Sequence, residues 1–92
     1  MEQLIARYQQ AEQAVKKVKN PTARRDLLKM LKTVDQTLAD ISKESVECRR
    51  IHHATARYET LVTTADQTLD NLEKYLVYAV LLTGWQTHLF NI

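Results

Sequence analysis

Residues 75 to 82 read Tyr-Leu-Val-Tyr-Ala-Val-Leu-Leu and close a long amphipathic run that decides how the chain folds. Apolar residues in steps of three and four, as in this run, lie along one side of a helix. Residues 75 to 82 are apolar on every side, and such a helix must be covered all round by protein or lipid. We therefore expect this segment to meet a second copy of the chain, another protein or the edge of a membrane. The seam of the run comprises Tyr58, Val62, Ala65, Leu69, Leu72, Leu76 and Ala79.

Two further seams with the same spacing precede this run. Asn20 and Pro21 separate them, since Asn is a good helix cap and Pro suits the first turn of a helix. This short connection predicts helices over about residues 2 to 19 and 22 to 43 that fold back antiparallel. The first seam comprises Leu4, Tyr8, Ala11, Val15 and Val18, and the second comprises Leu27, Leu31, Val34, Leu38 and Ile41, widened by Leu28 and Met30.

The polar stretch from Ser42 to Thr55 separates the second seam from the third and contains neither Gly nor Pro. Two structures fit it. One is a turn near residues 42 to 45, where serines cap a new helix. The other is a continuous helix, overwound at a three-residue insertion. A solitary helix of about 61 residues would span about 90 Å and could bury its stripe only in an oligomer. We therefore favour the turn and a third helix over about residues 46 to 83.

The composition supports an all-α fold. The chain of 92 residues has one Gly and one Pro, whereas turn-rich β architectures need many of both. We predict one domain over residues 1 to 92, a small antiparallel three-helix bundle with coiled-coil-like seams that oligomerises. Gly84 is the expected helix terminator. The apolar tail over residues 85 to 92, with Trp85 and Phe90, then folds over the bundle or docks into a partner.

The net charge of +2 is unevenly distributed. Opposite charges on two helices can set their pairing or steer a partner. Between Gln13 and Lys32 the only acid is Asp26, whereas acids predominate from Tyr58 onward. This basic run is either a solvated helix face or a phosphate-binding surface, and it has no aromatic residue to stack on bases. Its candidate nucleic-acid contacts are Lys16, Lys17, Lys19, Arg24, Arg25 and Lys32.

Residues of metal-ligand type cluster once, where Cys48 and His52 stand four apart with Glu44 and His53 nearby. A structural zinc site needs four ligands, and His88 is the only further His, so we expect no metal. A chain with a single Gly has no Gly-rich phosphate loop, and its carboxylates are spread singly. We therefore expect neither a cofactor nor enzymatic activity.

The location is expected to be cytoplasmic, because the chain has one Cys and no signal-like start. Residues 75 to 92 carry no Lys, Arg, Asp or Glu. However, Gln86, His88 and Asn91 interrupt them, and a bilayer needs about 20 mainly apolar residues. We therefore predict no membrane span.

Together these features predict a non-enzymatic protein–protein interaction module, such as a small adaptor, inhibitor or secretion-type chaperone that holds a partner helix or a second copy. Binding to nucleic acid through the basic run is the alternative. The expected partner-binding residues are Leu76, Tyr78, Val80, Leu81, Trp85, Leu89 and Phe90.

Overall fold

The computed structural model describes the backbone of residues 1 to 90 and the side chains of residues 1 to 79. It contains three helices: α1 (Glu2–Lys16), α2 (Pro21–Ile51) and α3 (Ala56–Phe90). All three pack against one another in an elongated bundle with principal extents of 63 × 17 × 15 Å. The all-α three-helix prediction is therefore confirmed.

The buried core follows the predicted seams. All five seam residues of α2 are buried, and Tyr8, Tyr58, Val62 and Leu76 are the only predicted seam residues that are partly exposed. One core cluster joins Leu4 of α1 to Ala65 of α3, and a second joins Val15 of α1 to Leu72 of α3. This order means that α1 and α3 run parallel to each other and antiparallel to α2. Burial of each large apolar side chain stabilises the fold by about 1.5–3 kcal/mol.

The first connection forms as predicted. The Asn20 side chain accepts hydrogen bonds from the backbone N–H groups of Thr22 and Ala23 at 2.9 and 3.1 Å. Pro21 occupies the first turn of α2, where its missing N–H costs nothing. α1 ends at Lys16, slightly earlier than predicted, and Val18 remains buried within the connection.

The second connection lies elsewhere than predicted, and both the turn at residues 42 to 45 and the continuous helix are wrong. Ser45, which was expected to help cap a new helix at this turn, lies inside α2, where its Oγ donates to the Ser42 carbonyl at 2.7 Å. α2 instead ends at Ile51, and His52 adopts the left-handed conformation with φ 55°. The His53 N–H then bonds the Cys48 carbonyl at 3.1 Å, which closes the helix end.

Thr55 fixes the start of α3. Its hydroxyl oxygen accepts from the Tyr58 N–H at 3.0 Å and its hydroxyl group donates to Glu44 Oε1 at 2.8 Å. Cys48 Sγ accepts from the Thr55 N–H at 3.5 Å. These contacts tie the first turn of α3 to the last turns of α2.

The predicted end of the third helix at Gly84 is also wrong. The backbone of α3 remains helical through Gly84 to Phe90, so residues 85 to 90 continue the helix rather than forming a separate tail. A Gly inside a helix costs only about 1 kcal/mol relative to Ala, which neighbouring residues can offset. Residues 91 and 92, and all side chains from residue 80 onward, lie outside the described part of the chain.

Replacing Thr55 with Ala should lower the free energy of unfolding by about 1 kcal/mol, because α3 loses its cap and Glu44 loses a donor. Thr55→Ser retains the hydroxyl group, so its free energy of unfolding should stay close to that of the parent chain. Urea unfolding followed by circular dichroism measures both. A Thr55→Ala chain that unfolds at the parent urea concentration would contradict this account of the turn.

Candidate partner-binding surface

At one end of the bundle, the connection between α1 and α2 packs against α3. Val18 belongs to the core cluster of Leu72, and Ala23 and Leu76 pack against that cluster. The Tyr75 hydroxyl group donates to Asp26 Oδ2 at 3.4 Å. Partial burial, together with the Asp26 carboxylate, raises the pKa of Tyr75. These contacts fix the register of α2 against α3.

This register leaves the last part of α3 beyond the bundle. Tyr75 lies opposite Asp26, and α2 begins five residues earlier, at Pro21. Antiparallel pairing therefore brings the start of α2 level with about residue 80 of α3. Residues 80 to 90 of α3, which we call the overhang, extend past that point.

The predicted partner-binding residues fall into three groups. Leu76 is partly buried against the core cluster, so it contributes to the bundle itself. Tyr78 is 63% exposed. Its neighbour Val77 is 58% exposed but was not among the predicted partner-binding residues. Side chains outside the described part of the chain are those of Val80, Leu81, Trp85, Leu89 and Phe90.

Basic residues are concentrated in the connection between α1 and α2 at this end of the bundle. We call five of them, which all lie between the last turn of α1 and the first turns of α2, the basic collar. All five are exposed, and within residues 1 to 79 none forms an ion pair. Arg24 Nη1 donates to the Val18 carbonyl at 3.5 Å, which holds Arg24 across the connection. The basic collar comprises Lys16, Lys17, Lys19, Arg24 and Arg25.

The acidic residues of α3 pair with a different cation. Arg7 of α1 donates through Nη1 to Asp66 at 2.6 Å, through Nη2 to Asp70 at 2.7 Å and through Nε to Glu73 at 3.0 Å. The bond to Glu73, with smaller contributions from the two aspartates, raises the pKa of Arg7 above its ordinary value. Opposite charges thus pair two helices as expected, but the cation lies outside the basic run. Its only sequence signal is its position beside the seam residue Tyr8.

Arg7→Ala should lower the free energy of unfolding by about 1 kcal/mol at low salt, and by less at high salt, because these partly exposed ion pairs are screened. The free energy of unfolding of Arg7→Lys should lie between those of the parent chain and Arg7→Ala, since an ammonium group cannot reproduce the contacts of the planar guanidinium with three carboxylates. Urea unfolding at two sodium chloride concentrations measures the effect.

Arg50→Ala is the control for this change. Arg50 pairs with Glu47 within α2 and is 69% exposed, so its loss should lower the free energy of unfolding by less than the loss of Arg7 does. Equal losses for Arg7→Ala and Arg50→Ala would show that the Arg7 contacts do not hold α1 on α3.

The cluster around Cys48 acts in the second connection. Cys48 and Glu44 both contact Thr55, and Glu44 Oε2 also lies 3.6 Å from Arg57 Nε. His52 provides the left-handed helix end. Among the described residues, no group of three or more His, Cys, Asp or Glu side chains is arranged to hold a metal ion. These residues therefore serve the turn in the structure.

The described part of the chain contains no helix that is both long enough and apolar enough to cross a bilayer. The chain matches no protein-family model, no curated protein and no solved structure.

Proposed function

We propose that the chain is a non-enzymatic protein–protein interaction module whose partner packs along α3 beyond the bundle. The observation that supports this proposal is the overhang of α3. Its backbone continues to Phe90, whereas α2 begins level with about residue 80 and α1 ends near the same level. Within the described residues, neither helix reaches far enough to cover the last turns of α3. A partner would provide the missing cover.

The sequence of the overhang favours a helical partner. Apolar positions recur at steps of four, three and four from Tyr78 through Leu82 and Trp85 to Leu89, which is the spacing of a helix–helix seam. The positions that would continue the buried seam after Ala79 are Thr83 and Gln86, both polar. The apolar spacing therefore shifts to a different helical register where the bundle ends.

Three kinds of protein fit this organisation: an adaptor, an inhibitor and a secretion-type chaperone, each working in the cytoplasm. In each case the chain would bind a partner helix along an apolar surface, which is one of the recurring modes of peptide recognition. The same surface could join two copies of the chain into a homodimer. Mass in solution separates self-association from capture of another protein.

The double change Leu81→Asp with Trp85→Ala should abolish self-association or partner capture while leaving helicity largely intact, because a carboxylate in an apolar interface is costly to bury. Light scattering on a size-exclusion column over a tenfold concentration range measures self-association. Co-purification from the native cells measures partner capture, and circular dichroism measures helicity.

The matched control is Val46→Asp with Ile51→Ala. It makes the same two kinds of change at apolar residues that are 58% and 40% exposed near the opposite end of the bundle. The control should keep the mass and the partner of the parent chain. If the Leu81→Asp, Trp85→Ala chain also keeps both, the proposal is refuted.

Nucleic-acid binding is the second candidate. It is supported by the exposure of the whole basic collar and of Lys32, without an ion pair among the described residues. Phosphate contacts make affinity fall steeply with salt, whereas an apolar interface hardly responds. Titration of a labelled DNA duplex at two salt concentrations separates the two functions. Nucleic-acid binding would be favoured by an affinity for the duplex that falls steeply with salt and is lost in the double variant Lys17→Gln, Lys19→Gln.

A further inference from the structure

We infer that the partner of α3 is an acidic amphipathic helix, whose apolar positions pack along the overhang while its carboxylates meet the basic collar. This inference rests on the proposed function and adds the chemistry of the partner. Three features carry it: the uncompensated charge of the collar, its position beside the overhang and the absence of charge along the overhang itself.

The collar has no carboxylate partner among the described residues. No acid occurs between Lys16 and Arg25 in the sequence. Asp26, the next acid along the chain, accepts a hydrogen bond from Tyr75 of α3. The three acids of α3 that could otherwise reach across the bundle are held by Arg7, at 2.6 to 3.0 Å.

The collar also lies beside the overhang. Val18, between Lys17 and Lys19, is buried in the cluster of Leu72, and Leu76 packs against that cluster. The Val18 side chain, in the middle of the collar sequence, therefore belongs to a cluster that includes α3 residues about one to two turns before Ala79. A helix that packs along α3 beyond Ala79 passes the collar at one of its ends, where carboxylates would neutralise exposed positive charge.

Other occupants supply only part of this chemistry. A second copy packed along residues 75 to 90 brings a segment without Asp or Glu, and in a parallel arrangement it brings a second collar of like charge. Helices that lie on membranes carry Lys and Arg along their own polar face, whereas residues 75 to 90 carry none. Nucleic acid supplies phosphates for the collar but has no apolar stripe against which Tyr78 could pack. An acidic amphipathic helix supplies both carboxylates and an apolar stripe.

The test uses two synthetic helical peptides with leucine heptads and no Trp. One carries glutamates beside the leucines, and the other carries lysines at the same positions. Trp85 is the only Trp of the chain, so its emission reports on the overhang directly. The acidic peptide should shift this emission to shorter wavelength and bind at least about tenfold more tightly than the basic peptide at low salt, with the ratio shrinking at high salt.

Charge reversal of the collar should invert this preference. The test variant is Lys17→Glu, Lys19→Glu, Arg25→Glu. The control variant is Lys32→Glu, Lys43→Glu, Arg49→Glu, which has the same net charge and changes three exposed residues outside the collar. The control should still prefer the acidic peptide, since its collar is intact.

Several results would overturn the inference. Equal binding of both peptides, with binding lost in Leu81→Asp, would leave the proposed function standing and refute the acidic partner. A larger Trp85 shift on phosphatidylglycerol vesicles than on either peptide would assign the surface to lipid. A shift caused by raising the concentration of the chain alone would assign it to a second copy. No binding of either peptide, together with no effect of Leu81→Asp, Trp85→Ala on mass or on partner capture, would refute both proposals.

Discussion

Burial of the α2 seam is the interaction on which the rest of the structure depends. Its five apolar side chains line α2 from Leu27 to Ile41 and are all buried, because α1 and α3 cover α2 together. Met30 widens this seam and packs against the cluster of Leu27 and Leu31, whereas Leu28, predicted to widen it as well, is 50% exposed. Since both neighbours run antiparallel to α2, they must run parallel to each other. This arrangement brings Arg7 of α1 beside the acidic residues of α3.

The heptad spacing was enough to predict the fold class and most of the core. Regular steps of three and four residues identify a helix face without any knowledge of its partners. Asn20 acts through its side-chain oxygen and Pro21 through its missing N–H, both within the turn itself, so this turn was predictable. In both cases the deciding interactions are local in the sequence.

Two features that the sequence did not predict, the second turn and the position of the basic collar, depend on contacts between residues that are separated in the sequence. The second turn uses His52 in a conformation more typical of Gly, and it is secured by Glu44 contacting Thr55 across the connection. Gly84, which looked like a stop signal, lies within α3. The position of the basic collar beside the overhang follows from the register of Tyr75 against Asp26, which no periodicity reveals. The sequence was therefore enough to choose the segment that carries the candidate surface, but not to predict which residues lie beside that segment.

The distribution of buried residues along the hairpin has a consequence for the dynamics of the chain. From Ser42 to Thr64, around the second turn, no side chain is fully buried. Tyr58, Leu61 and Val62 are only partly buried against the core, and the Thr55 hydroxyl group adds a polar contact to Glu44 of α2. Segments with few buried apolar contacts open locally at low free energy. Amide hydrogen exchange should therefore be faster around this turn than in the central parts of α2 and α3, so that the hairpin opens from its tip while the bundle remains folded.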